Sequence, residues 1–487
     1  MRGWLHRASF VALAAAALLA AGCGASGDEG TSPTTEPASG SGSTDGTADA
    51  GDGPAGGSAP GTFGDLEAVC GPGDARVAAA EAGRGTDRLY LGVATDRKAT
   101  IRPGLNREMW DTSVAFAQWC NEAGGIAGLP VELVELDGSV LQVEQAMTTA
   151  CRDVFAMVGG GFVQDDLQFS GRDGSDFHRC GLVDVPGYAV SAQKTDSNGQ
   201  VQPVPNQGTT VTTDWLRDFA ELEPRQAAEV AIAYGELPAL EIQRAKYEAA
   251  VEDVGLDLAG TFPYPVTGMT DWTPLARSII DSGATTLLFV GEPGNLANLL
   301  AKLREQRWKG TPLLETNAYD PLLFSAGDAA VEGALVRSYV QPFEEARDGS
   351  ATRQYLDLVA GVADDAKVSP LGVLSMSAWL LFARAATGCA EEGPITRTCV
   401  LEQAAAQEDW TAGGLHAPTD PARFDEVVPS TCGMLVVARD GRFERRWPRV
   451  GGPDDDGDGF ACRPAEEAVT SVPANRGKGV VDPDRPL

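Results

Sequence analysis

Residues 120–138 read CNEAGGIAGLPVELVELDG. A polar helix end runs into Gly124-Gly125, a third glycine at 128 and Pro130. An alternating run of apolar and acidic residues follows and ends at Asp137-Gly138. Glycine enters the left-handed conformation at low cost, so Gly124-Gly125 is expected to cap a helix. Alternation over residues 131–137 predicts a half-buried strand. A helix that stops abruptly and hands over to a strand is the turn of a βαβ unit.

Working outward, the alternation continues. RLYLGVAT (88–95) is an aliphatic strand, and residues 103–123 carry Met109, Phe116 and Cys120 on one helical face, with Trp110 and Val114 beside it. SVLQVEQAMTTACRDV (139–154) is a second helix. FAMVGGG (155–161) and GLVDVPGYAV (181–190) are short buried strands. The series restarts with AEVAIAYG (228–235) and runs strand, helix, strand through TPLLETNAY (311–319). Such βαβα order predicts parallel sheets covered by helices. Two successive series predict an α/β protein with two lobes and a crevice between them, where ligands sit beyond the carboxyl ends of the strands. LGVLSMSAWLLFARAA (371–386) reads as a buried helix too short and too polar at its flanks to span a membrane.

Composition limits the function. The chain has 487 residues, enough for two or three folded units. Its formal charge of −31 disfavours nucleic acid as a partner, because a phosphate backbone is repelled. Residues 1–22 have Arg2 and Arg7 ahead of a short apolar run that leads into Ala-Gly-Cys at residues 21–23. This resembles a bacterial lipoprotein signal peptide, with Cys23 as the lipidated residue; an ordinary secretory leader with a chance cysteine is the alternative. Residues 23–65 contain almost nothing apolar and read as a flexible acidic tether. Either leader implies an extracytoplasmic protein, and the lipoprotein reading together with the tether implies a domain held near the cell membrane.

Cysteine content agrees with export. Eight cysteines follow Cys23, an even number expected to form disulfides outside the cell. Cys389 and Cys399 flank one short loop, and Cys151 and Cys180 lie near the starts of consecutive βα units. Pairing Cys70 with Cys120 and Cys432 with Cys462 is one of the assignments left open. Zinc is disfavoured, since there is no Cys-x-x-Cys and only His178 and His416 follow the leader. The chain has no Gly-x-Ser-x-Gly elbow, no His-Glu-x-x-His and no phosphate loop. No enzyme activity is expected.

The junction NEAGGIAGLPVELVELDG (121–138) resembles that of the leucine/isoleucine/valine-binding family, the type 1 periplasmic binding proteins that feed ABC importers. Asn121, Gly124, Gly125, Ile126, Gly128, Pro130 and Asp137 carry the resemblance. STCGMLVVARDGRFERRWP (430–448) resembles the family's closing strands, with a hairpin turn at Asp440-Gly441. The resemblance implies two Rossmann-like lobes joined by a hinge of three crossovers, closing on a small solute. It places lobe 1 at 66–205 plus 335–428, lobe 2 at 206–334 plus 429–450, and an acidic tail at 451–487. Implied partners are an amino-acid-like or related small solute, an ABC permease and the membrane, with the protein acting as a monomer. A surface sensor or structural binding module is the alternative function.

The expected ligand site combines strand ends and resemblance. It comprises Thr95, Asp96, Gly160, Gly161, Phe162, Tyr188, Tyr234, Glu292, Asn317 and Tyr319. Bare amides in the GGGF loop (159–162) are expected to receive an anion. The hydroxyl side chains that clamp an amino acid's carboxylate in the family are missing from that loop. Glu292 is expected to meet a ligand ammonium, and the tyrosines to wall the ligand in. In DDDGDGFAC (454–462), Asp454, Asp456 and Asp458 alternate ahead of Gly459, the first half of a calcium loop. The stretch resembles the extracellular Excalibur motif, with Arg463 and Ala465 where acids are expected. Calcium binding and a plain acidic surface loop are both open readings. No other cofactor is expected.

Overall fold

The computed structural model describes residues 59–100, 102–169 and 175–473. The leader, Cys23 and the tether through residue 58 lie outside them. Two sheets carry the fold. The first contains β1 (Leu89–Thr95), β2 (Val131–Asp137), β3 (Ala156–Val158) and β4 (Asp184–Val185), all parallel, in the order β2-β1-β3-β4. β5 (Thr210–Thr212) lies outside this sheet. The second is built from β6 (Glu229–Gly235), β7 (Asp257–Tyr264), β8 (Thr286–Val290), β9 (Thr311–Leu314) and β10 (Leu335–Ser338), closed by β11 (Cys432–Arg439) and β12 (Arg442–Trp447). Its order is β12-β11-β10-β9-β8-β6-β7, with β11 and β12 antiparallel to their neighbours. Both parallel parts share one winding: the first strand is flanked by the second and the third. Each sheet therefore has a topological switch point, between β1 and β3 and between β6 and β8.

Side-chain alternation explains why both faces are covered. Leu89, Leu91 and Val93 of β1 join the core under the helix Arg107–Glu122 and the helix Pro370–Glu392, whereas Ala94 packs on the other face with Val143, Met147 and Ala150 of the helix Val143–Asp153. In β6, Ala231 and Ala233 face one core and Val230 and Ile232 the other. The helix Pro370–Glu392 has 23 residues, long and apolar enough to cross a membrane by composition. The shortness argued from sequence does not hold. What keeps this helix in the core is burial: Trp379 is fully enclosed, stacks on Phe116 at 5.1 Å and donates to Ser113 Oγ at 2.8 Å.

The opening stretch is a helix-to-strand turn, and its residues have further reasons. The helix ends at Glu122, and Gly125 N–H bonds back to Cys120 O. Ile126 and Leu129 exchange backbone hydrogen bonds around Ala127 and Gly128, both at positive φ, the geometry of a tight hairpin turn. Asn121 uses its side-chain amide as a strand partner: it accepts from Val131 N–H and donates to Val131 O. The glycines also admit a second backbone. A Cβ on Gly124 would lie 2.7 Å from Pro72 N. Gly71 N–H donates to Gly125 O, and the Cys70–Cys120 disulfide fastens the contact. The tether therefore ends sooner than expected: Phe63 is fully buried. The other disulfides are Cys151–Cys180, Cys389–Cys399 and Cys432–Cys462.

Three crossovers link the sheets: after β4, after β10 and before β11. They are bonded to one another. Thr419 Oγ1 donates to Pro203 O at 2.6 Å, and Ala417 N–H donates to Tyr339 O at 2.8 Å. Residues 335–338, assigned to the first lobe from sequence, are a strand of the second sheet, because Leu335 and Val336 pair with both β9 and β11. The chain turns toward the first sheet only after Ser338.

The expected acidic tail is folded as far as residue 473. β13 (Ala461–Cys462) pairs with β11, and β14 (Val469–Ser471) pairs antiparallel with β5. Arg463 bridges to Asp218 and Glu221, and in Asp218 burial outweighs this partner, pushing the carboxyl up to about 7. The carboxylates of 454–458 do not converge as a calcium cage. Asp455 accepts from the N–H groups of Gly451, Gly457 and Gly459, and Asp456 accepts from Cys462 N–H. Asp458 accepts from Phe460 N–H, and the Arg445 guanidinium donates to Gly459 O. Among the described residues no group of three or more His, Cys, Asp or Glu side chains is placed to hold a metal.

Candidate functional site

A cavity of about 590 Å³ opens between the two sheets at their switch points. That is within the range of small-molecule sites, roughly 300–1,000 Å³. The first lobe contributes apolar groups: Leu105, Val140, Val163, Ala189, Leu371 and Leu374. The second contributes Val211, Leu240, Val266, Phe289 and Val290, together with most of the charge.

Of the expected residues, Tyr188, Glu292 and Asn317 line this cavity. Tyr188 is held in place: its hydroxyl accepts from Asn106 Nδ2 at 2.7 Å. Asn317 donates to Gly291 O at 3.0 Å. Glu292 occupies the N-cap position of the helix Pro293–Glu305 without a side-chain cap bond, and its carboxylate receives Arg102 at 2.9 and 3.1 Å. Arg102 follows β1, so this pair ties the two lobes across the cavity, and Glu292 is not the free acid expected for an ammonium.

The rest of the expected set stands behind the lining or away from it. Thr95 is buried. Asp96 accepts from Val140 N–H and Val163 N–H at 2.6 and 2.7 Å, fixing two loops whose side chains form the floor. Burial raises its pKa against these two bonds. The glycine loop is not a set of bare amides: Gly159 N–H donates to Val185 O and Gly161 N–H to Ala94 O. Gly160 O accepts from Gly187 N–H, and Phe162 is buried in the core. Gly161 is required by contact, since a Cβ there would lie 2.6 Å from the Tyr188 ring. Tyr234 lies off the cavity with Arg244 stacked 5.3 Å from its ring centre. Tyr319 is buried against Phe343 at 5.1 Å, and its hydroxyl accepts from Phe343 N–H and bonds Glu344.

The strongest polar groups were not found from sequence. Lys246 is only 4% exposed and lines the cavity. It belongs to the helix Pro238–Val254, whose cavity face carries Ala239, Gln243, Lys246 and Tyr247 at one-turn spacing. Its Nζ donates to Asn206 Oδ1 at 2.8 Å, and Asn206 donates in turn to Ala189 O of the first lobe. Burial pulls the Lys246 ammonium down to about 8; Glu315 and Asp196 oppose that shift and Arg337 adds to it. Arg337, on β10, sits 3.6 Å from Glu315, donates to Thr212 Oγ1 at 3.3 Å and lies over the Trp215 ring at 5.4 Å. Burial works against its charge, but Glu315 and Asp214 outweigh it and raise the pKa. The signal was present in the sequence as a lysine on the buried face of LPALEIQRAKYEAAVEDVG. A search confined to strand ends passes over it.

These features define a two-lobed α/β protein with a solute-sized cavity at its hinge. The chain belongs to the periplasmic binding protein family, whose model matches residues 88–441. Solved structures share the fold. A fatty acid ABC transporter substrate-binding protein from Thermomonospora curvata is similar at TM-score 0.62 and 15% identity, covering 77% of this chain and 93% of that one. A branched chain amino acid ABC transporter from Thermus thermophilus with bound valine gives 0.60 and 15%, covering 74% and 94%. A leucine-binding protein from Thermotoga maritima gives 0.58 and 14%, covering 74% and 98%. A comparison with curated protein sequences gives no match.

Proposed function

We propose that this protein is an extracytoplasmic solute-binding protein, anchored through Cys23, that captures a small molecule between its lobes and delivers it to an ABC importer. The observation that carries the reading is the cavity of about 590 Å³ at paired switch points, lined from both lobes and spanned by Arg102–Glu292. Capture works by differential affinity: the ligand binds the closed arrangement better, and closure follows from that difference. Tyr188, Asn317 and the Arg102–Glu292 pair form the expected contact set, with Lys246 and Arg337 added. Neighbours named for fatty acid and for amino-acid transport bracket the solute class without choosing between them. The leader and the even cysteine count support export, and the tether supports a reach away from the membrane.

The test is native mass spectrometry of the protein as purified, followed by denaturation and identification of any released mass. A defined small molecule supports capture. Recovery of the protein free of solute, with no ligand-induced compaction in X-ray scattering across a solute library, favours the sensor or structural alternative. Crosslinking to a permease then separates transport from sensing.

A further inference from the structure

The charges that line the cavity do not cancel. Its three cations are Arg102, Lys246 and Arg337, and its two carboxylates are Glu292 and Glu315. Glu292 is taken by Arg102, and Glu315 by Arg337. Asp214, fully buried beside Arg337, and Asp196, which attracts Lys246 without forming an ion pair with it, are not among the lining residues. Lys246 is left over. Among the described residues no carboxylate lies within ion-pair distance of its Nζ, and its one hydrogen bond goes to the neutral Asn206. A buried ammonium with no carboxylate partner is costly unless an anion arrives. This surplus of positive charge sits in a chain of net charge −31. It faces an opposite wall that is aliphatic: Val140, Val163, Leu371 and Leu374.

We infer that the solute is an amphipathic organic anion, its carboxylate received by Lys246 beside Asn206 and its apolar body lying against the first-lobe wall. The inference rests on the solute-capture reading and narrows it. A zwitterionic amino acid fits less well, because the carboxylates that its ammonium would meet, Glu292 and Glu315, already have their charge offset by Arg102 and Arg337. The glycine loop offers a carboxylate little, since Gly159 N–H and Gly161 N–H are bonded within the lobe. Recognition is thereby moved from the first lobe's strand ends to a helix of the second.

The test is calorimetric titration of the full chain with four probes: octanoate, octanamide, octylamine and leucine. Octanoate is expected to bind at least tenfold more tightly than octanamide, which has the same tail without the charge, and more tightly than the other two. Lys246→Met is expected to weaken octanoate at least tenfold and octanamide less than threefold. Equal affinity for octanoate and octanamide overturns the inference, as does tighter binding of leucine or octylamine. Should the variant fail to fold, the four-probe comparison on the unaltered chain still decides. Silence from all four probes overturns the inference too. In that case a neutral or zwitterionic adduct retained through purification leaves solute capture standing, whereas a chain that retains and binds nothing removes both.

Discussion

The two walls of the cavity come from the same winding of strands and use it differently. In the first lobe the loops at the strand ends are closed on themselves. Asp96 is consumed by Val140 and Val163 N–H, Gly161 N–H by Ala94 O, and Gly160 O by Gly187 N–H. In the second lobe Lys246, Arg337 and Glu315 carry charge into the cavity, and the pairing of Arg337 with Glu315 leaves Lys246 without a carboxylate. One wall has its strand-end backbone groups bonded within the lobe and supplies shape, while the other keeps one cation without a carboxylate and supplies chemistry. Equivalent topological positions therefore do not imply equivalent roles.

The contrast can be broken most strongly through the brace behind the charged wall. β14 pairs with β5, whose residues line the cavity, and Cys432–Cys462 holds the tail in place. Replacing both cysteines by serine should cost about 3.5 kcal/mol by loop-closure entropy over 30 residues. The measurement is the urea midpoint, with hydrogen exchange at residues 210–212. Full protection of β5 in the double variant would show that the tail is not a brace.

Lys246 sharpens the comparison because ligand-binding and structural roles predict opposite signs. Its folded pKa, about 8, lies below the ordinary 10.5. For a base this is a cost, present below pH 8 and relieved as pH rises through 8 toward 10.5. Without ligand, Lys246→Met should therefore stabilise the protein at pH 7, by at most about 3 kcal/mol. The gain should fade between pH 8 and 10.5. Thermal melts of both proteins across that window check it, and a destabilised variant at pH 7 would mark Lys246 as structural.

Gly161→Ala tests the first-lobe wall. The added methyl meets the Tyr188 ring, so stability should fall by about 2 kcal/mol. The order of solute affinities should stay the same, and a change in that order without loss of melting temperature would erase the contrast. The smallest expected effect is at the tie between the walls. Arg102 and Glu292 are each more than a third exposed, so Arg102→Ala should cost roughly 0.5 kcal/mol of stability. Its readout is the scattering profile without solute, where a more open average is expected.

Much of the fold was legible because its causes are local. The glycines of 120–138, the alternation of 131–137 and the strand–helix succession depend on backbone propensity and pattern, which neighbouring residues carry. Long-range partners decided the rest. Phe63 reads as tether until the core that buries it is assembled, and residues 451–473 read as tail until β5 and β11 offer edges to pair with. Asp455, not the alternating Asp454, Asp456 and Asp458, organises its loop, because hydrogen bonds to three backbone N–H groups depend on how the chain turns.

The site divides along the same line. Sequence alone determined that the cavity lies at the strand ends of two α/β halves, and it placed Tyr188, Glu292 and Asn317 on the lining. Only the tertiary structure decided that Arg102 occupies Glu292, that the glycine loop is closed and that Lys246 is the cation left over. The physical reason is that charge pairing is set by distances between residues far apart in the chain. Glu292 finds Arg102 across 190 positions, and no local pattern records which carboxylate a folded chain will bring to which cation.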